Sequence, residues 1–261
     1  MALFNGRVIG ITGAASGIGL ATARLLACRG AKLSIADVNG SALEKTEKEI
    51  KEKFPDVQIL RYVLDVSKEI EVKMWIEKTI DVFGQLDGAA NLAGVIGKSI
   101  GLKGIDEQSL SEWDFVLSVN LTGVMLCLKY QLQHISTNGA IVNASSIGGL
   151  QGMAKNAAYS ASKHGVIGLT RTAAKEAGHR GVRVNAICPG FIYTPMSDQS
   201  WEIQAKAVGA SEEKRKARIE SVPLGRGGTP EECAELILFL LGEGSSFVTG
   251  SAMSVDGGWN C

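Results

Sequence analysis

Short apolar runs rich in Val, Ile and Ala recur along the chain, each separated from the next by an amphipathic helical stretch. "RVIGITG" (7–13) leads into a helix through "IGLATARLLACRG", and "AKLSIAD" (31–37) into a charged helix from about 41 to 53. "VQILRYVLDV" precedes a helix from about 68 to 83, and "LDGAANLAG" a long helix from about 111 to 135. "GAIVNASS" follows, then a helix carrying Tyr159, then "VRVNAICPG" and "SAMSVDGG" as sixth and seventh strands. Uniformly apolar strands separated by helices are βαβ units, whose strands lie parallel and are covered on both faces. The pattern predicts an α/β fold, a Rossmann-like doubly wound parallel sheet of about seven strands. At 261 residues with no linker or repeat, it is expected to form one domain.

One segment breaks the alternation. Residues 191–224, "FIYTPMSDQSWEIQAKAVGASEEKRKARIESVPL", contain no strand, and they follow the carboxyl end of one. Open α/β sheets bind ligands at that end, so a substrate lid of one or two helices is expected there. Beyond it, Thr229-Pro230-Glu231-Glu232 has the form of a helix start, with Thr at the N-cap, Pro first and Glu third.

Composition excludes several classes of partner. Lys+Arg and Asp+Glu balance at 27 each, which argues against a nucleic-acid surface or an anionic membrane. The longest apolar run, Leu236–Leu241, is too short for a bilayer. The beginning of the chain lacks the form of a signal peptide. Five scattered cysteines (Cys28, Cys127, Cys188, Cys233, Cys261) suit a reducing compartment, so a cytoplasmic location is expected. No His/Cys/Asp grouping has metal-ligand spacing.

The first strand joins the first helix through "TGAASGIG" (12–19). Glycines there permit a tight turn and let a phosphate approach the backbone, while the helix N-terminus offers free N–H groups. Gly13, Ser16, Gly17, Ile18 and Gly19 are the candidate phosphate cradle. Asp37 ends the second strand, where a carboxylate can bond the adenosine ribose hydroxyls and repel a 2′-phosphate. No cation lies at Ala14, Ala15 or Val38. These residues favour NAD(H) over NADP(H). Asp65, Val66, Asn91, Ala93 and Gly94 close the third and fourth strands and are candidates to border the nucleotide.

"YSASK" puts the Tyr159 phenol and the Lys163 ammonium one helical turn apart, on one face. A free phenol has a pKa of about 10 and is a poor base; a neighbouring ammonium is expected to lower it. Taken together, "TGAASGIG", "NLAG", Asn120, Ser146 thirteen residues before Tyr159, "YSASK" and "PG" (189–190) resemble the short-chain dehydrogenase/reductase family. The resemblance spans nearly the whole chain. Its one departure is "NLAG", where the family has N-N-A-G; Leu92 is tolerable if the backbone carries that contact.

The resemblance implies a catalytic tetrad of Asn120, Ser146, Tyr159 and Lys163. In it, Lys163 also bonds the nicotinamide ribose, Ser146 holds the substrate oxygen and Asn120 orders a water. Ser145 is a rival to Ser146. Pro189, Gly190, Ile192 and Thr194 are implied at the nicotinamide. Candidate substrate contacts are Ser146, Gln151, Met153, Tyr193, Met196 and Trp201. The implied activity is hydride transfer between a nicotinamide cofactor and a secondary alcohol or ketone. An NADPH-dependent biosynthetic reductase, a non-redox epimerase or lyase, and a nucleotide-binding protein remain alternatives. The resemblance also implies a homo-oligomer, tetramer or dimer, assembled through the 111–135 helix and the last strand region.

Overall fold

The computed structural model describes residues 3–209 and 211–261; Met1 and Ala2, in the opening segment, and Ala210, inside the 191–224 insertion, lie outside them. Seven parallel strands, β1 (Val8–Thr12), β2 (Lys32–Asp37), β3 (Ile59–Val63), β4 (Gly88–Asn91), β5 (Ala140–Ala144), β6 (Arg183–Pro189) and β7 (Ala252–Val255), form one sheet. Their order is β3-β2-β1-β4-β5-β6-β7. The first three strands build outward from β1 in one direction and the last four in the other. The sheet therefore has its switch point between β1 and β4, where strand ends diverge and leave a crevice.

Helices cover both faces. On one lie α1 (Gly17–Cys28), α2 (Gly40–Lys53) and α9 (Pro230–Leu241), packed on Ile9, Ile11, Leu33 and Ile35. On the other lie α3 (Glu69–Phe83), α5 (Gly123–His134) and α6 (Ala157–Ala177). Along β1 the side chains alternate between these layers: Ile9 and Ile11 face α1 and α9, whereas Gly10 makes room for the Trp75 ring of α3. The N-terminus of α9 is as expected, with Glu232 N donating to Thr229 Oγ1 (3.3 Å) and Thr229 N to Glu232 Oε2 (2.8 Å).

The long helix differs from a regular one. It runs as α4 (Leu110–Leu117), a π-helical turn at Ser118–Thr122 and then α5. The extra residue in that turn shifts the side chains that follow and frees a backbone step, a distortion that usually marks a functional position. By length and composition Leu110–His134 could cross a membrane, but Val124, Leu126, Cys127 and Leu128 are buried on the sheet and against α3. The insertion folds as two helices, α7 (Pro195–Val208) and α8 (Glu212–Glu220).

Candidate active site

The carboxyl ends of the strands carry two adjoining clefts. The first, of about 380 Å³, opens between the β1–α1 turn and the ends of β2, β3 and β4. Gly13 has φ of 69°, and a β-carbon there would lie 2.8 Å from Ala93 N, so glycine lets this turn touch the end of β4. A β-carbon on Gly19 would be driven into the Gly13 carbonyl oxygen. Ser16 is the N-cap of α1, yet its side chain makes no capping bond, which leaves first-turn N–H groups facing the cleft.

Gly17, Ile18 and Thr194 line this cleft, with Asp65, Val66 and Gly94 across from them. At its far end Asp37 accepts from Ala15 N (3.0 Å) and Asn39 N (2.9 Å). The carboxylate therefore caps the glycine turn as well as facing the cleft. The backbone N–H groups of Leu92 and Ala93 both donate to Thr12 Oγ1. The Leu92 side chain packs on the core, so leucine is accommodated where the resemblance led us to expect asparagine. Asn91 does not face the cleft. Its carboxamide is buried in a chain of amides with Gln131 and Asn143, which continues to Thr170.

The second cleft, of about 590 Å³, holds Ser146, Tyr159 and Lys163. Ser146 starts a short 3₁₀ turn (147–149) after β5, and its Oγ accepts from Gly148 N. Its neighbour is committed elsewhere: Ser145 Oγ donates to Lys163 O (2.8 Å), tying β5 to α6. Ser146 is therefore the hydroxyl whose proton is available on the Tyr159 side of the cleft, and Ser145 is its anchor. Lys163, 5% exposed, donates from Nζ to Ala144 O (2.9 Å) and lies 5.6 Å from the centre of the Tyr159 ring.

Asn120 stands behind these groups. Its Oδ1 accepts from Val95 N (2.8 Å) and its Nδ2 donates to Val95 O (2.9 Å). Gly94 sits between Asn120 and Lys163, close enough that a β-carbon there would touch both side chains. The π-turn thus pins the segment after β4 and closes the back of the site.

Burial pushes the Tyr159 phenol above its ordinary range, and a hydrogen bond with Ser146 opposes the rise. This differs from the expectation that the ammonium lowers it. Desolvation of the half-buried ring is the dominant cause; burial likewise draws the Lys163 ammonium down to about 8. At neutral pH the phenol is protonated and the lysine still largely charged.

Pro189, Gly190 and Ile192 line the same cleft from the end of β6. A β-carbon on Gly190 would lie 2.7 Å from Asp256 Cβ, so glycine is needed where β6 passes the chain after β7. Gln151, Met153 and Met196 also line it. Tyr193 and Trp201 do not. The Tyr193 ring stacks edge-on against Phe191, and its Oη accepts from Gly227 N. Trp201 turns toward α8, donating from Nε1 to Glu212 Oε1 (3.1 Å) with Arg215 over its ring. In their place the structure brings Ser197, Gln204, Arg218 and Trp259 to the wall. Helical spacing on α7 signals Gln204, since Ser197, Ser200 and Gln204 share one face; nothing local signals the return of Trp259. Among the described residues no group of three or more His, Cys, Asp or Glu side chains is placed to hold a metal ion.

A family model described as enoyl-(acyl carrier protein) reductase matches residues 13–260. The chain is 53% identical over 258 residues to short-chain dehydrogenase/reductase aba4 of Botryotinia fuckeliana, covering 99% of this chain and 98% of that protein. It is 40% identical over 260 residues to levodione reductase of Leifsonia aquatica, covering 98% and 94%. The crystal structure of levodione reductase superposes with a TM-score of 0.92 at 39% identity, covering 98% of both chains. That of NAD+-bound xylitol dehydrogenase does so at 0.90 and 36% identity, covering 98% of this chain and 99% of that one.

Proposed function

Since the chain belongs to the short-chain dehydrogenase/reductase family, we propose that it is an NAD(H)-dependent enzyme interconverting a secondary alcohol and a ketone. The observation that carries this reading is the convergence of Tyr159, Ser146 and Lys163 in one cleft that is otherwise mostly apolar. A nicotinamide dinucleotide fits the residues present. The glycine turn offers a cradle that a β-carbon would fill, with open N–H groups for a diphosphate. The two clefts share Ile18, Leu92, Gly94, Thr194 and Met196, so a ligand extended along the strand ends would reach from Asp37 to Tyr159.

When bound, the cofactor supplies or accepts the hydride. The chain's own groups handle the proton and the position of the oxygen. In reduction Tyr159 Oη donates its proton to the substrate oxygen, and Ser146 Oγ orients that oxygen and stabilises its developing charge. Lys163 then balances the phenolate that remains. The protonated phenol that burial favours is the form this direction consumes. Asn120 acts on the other three by holding Val95 and Gly94 against Lys163.

Preference for NAD(H) is supported by Asp37. Two backbone N–H groups hold its carboxylate at the cleft, where it would repel a 2′-phosphate. The NAD+-bound state of a structural neighbour points the same way. Self-association is supported by exposed Phe115 and Met125 on the long helix and by Phe239 and Phe247 before β7.

One experiment tests the reading. Wild type and Tyr159→Phe are titrated with NADH and NADPH and then assayed with a panel of ketones. We expect Tyr159→Phe to lower turnover at least about a thousandfold while NADH affinity stays within a few-fold. NADPH should bind at least about tenfold more weakly than NADH. Substantial turnover by the variant overturns the role of Tyr159, and equal affinities overturn that of Asp37.

A further inference from the structure

The substrate cleft has an uneven charge. Among the described residues of its wall the charged side chains are Lys163 and Arg218, with no Asp or Glu. The chain as a whole is neutral, so this is a local arrangement and not the consequence of a basic protein. Lys163 is held at the reaction end by Ala144 O. Arg218 lies on α8, with its guanidinium 5.6 Å from the centre of the Trp259 ring.

No ion pair or side-chain hydrogen bond engages the Arg218 guanidinium among the described residues. Of the carboxylates on α7, α8 and the loop after β7, five have partners of their own. Asp198 pairs with Arg215, Glu202 with Lys206 and Glu220 with Lys216, while Glu212 accepts from Trp201. Asp256, which precedes Trp259, accepts from Gly258 N and Asn260 N. Arg218 is thus an arginine steadied by an aromatic face, with its N–H fork left for a ligand.

We propose that Arg218 and Trp259 form an anion subsite, and that the physiological substrate is an apolar ketone or alcohol bearing a carboxylate remote from its reacting carbon. This deepens the reading of Tyr159 as the acid/base, and it rests on that reading for the orientation of the substrate. Ile96, Ile100, Met153 and Phe191 line the same cleft and offer apolar contact to the rest of such a molecule. A carboxylate matches the planar fork of one guanidinium; a phosphate dianion would call for a second cation, and among the described residues of the wall the only cation besides Arg218 is Lys163, which is engaged at the reaction end. The cofactor diphosphate has its own cradle in the other cleft.

The test uses cyclohexanones that carry a carboxylate directly or on arms of increasing length, each paired with its methyl ester. Binding to the NADH-loaded protein is measured by titration calorimetry, and NADH oxidation by steady-state kinetics. The best acid is expected to exceed its ester about tenfold in affinity and in kcat/KM, the factor of a charge-assisted bond in a half-open site. Arg218→Gln should remove that advantage through KM without changing the KM for NADH, and Arg218→Lys should restore part of it. The acid's advantage should also shrink as salt is raised.

Equal affinity of acid and ester, or no binding by any acid of the series, overturns the proposal. So does an Arg218→Gln variant that keeps the acid's advantage. A raised KM for NADH would assign Arg218 to the cofactor instead. Selective, Arg218-dependent binding of acids without any NADH oxidation would leave the subsite standing and remove the redox reading.

Discussion

The two adjoining clefts are walled on different principles. The β1–α1 turn is held by backbone contacts with no slack: Gly13 lies against Ala93, Gly19 against Gly13, and the turn's own N–H is fixed by Asp37. The α7–α8 segment is held by side chains at the surface, through Trp201–Glu212, Arg215–Asp198 and Arg218–Trp259. Backbone packing is unforgiving, because interiors are dense and a single methyl group has nowhere to go. Surface side-chain pairs contribute little each and can be exchanged. One wall is therefore suited to a ligand that never changes, and the other to one that can be altered without endangering the fold.

The sharpest test of that contrast is Gly19→Ala. Its methyl group collides with a carbonyl oxygen that cannot retreat without dragging β1. We expect destabilisation of about 2–3 kcal/mol in urea unfolding, together with a loss of NADH affinity of more than about a hundredfold, because the turn's N–H groups move. Full NADH affinity in this variant would show that the turn is a packing device and not the cradle.

Lys163→Met probes the group between the two walls. The buried ammonium, drawn down to about 8 from 10.5, carries a cost of about 3 kcal/mol below pH 8. The unfolded chain holds one proton more than the folded chain between those values, so wild-type stability should rise with pH from about 8 to 10.5. Methionine removes the cost and also the bond to Ala144 O. The variant should be about 1–2 kcal/mol more stable at pH 7, lack that stretch of pH dependence, and turn over at least about a thousandfold more slowly. A less stable variant would make Lys163 a structural residue.

These differences track what was legible in the chain before folding. Strands such as "VIGIT" declare themselves through continuous apolarity, and the glycine turn and the Tyr159–Lys163 pair through spacing, because each is a local property. The π-turn at Ser118–Thr122 was not legible. Apolar periodicity over 111–135 reads as one regular helix, and the extra residue is selected by contacts with Val95 and Ser162, which lie elsewhere in the chain. Asn91 looked like a strand-end contact, yet its neighbours across β5 and α5 draw it into a buried amide chain. The orientation of α7 escaped for the same reason. An aromatic residue at Trp201 fits a pocket wall or a helix–helix contact equally well, and Glu212 with Arg215 decides between them.

Trp201→Leu is consequently the mildest test and the one that separates the two walls most cleanly. The variant loses one hydrogen bond to Glu212 and the face beneath Arg215, while no cleft residue changes identity. Stability should fall by less than about 1 kcal/mol, and NADH affinity should stay as it is. The looser α7–α8 pair presents Ser197, Gln204 and Arg218 less sharply, so KM for the ketone should rise a few-fold with kcat nearly constant. A matching loss of NADH affinity would mean that α7, through Thr194 and Met196, also shapes the nucleotide cleft, and the two walls would then have to be treated as one.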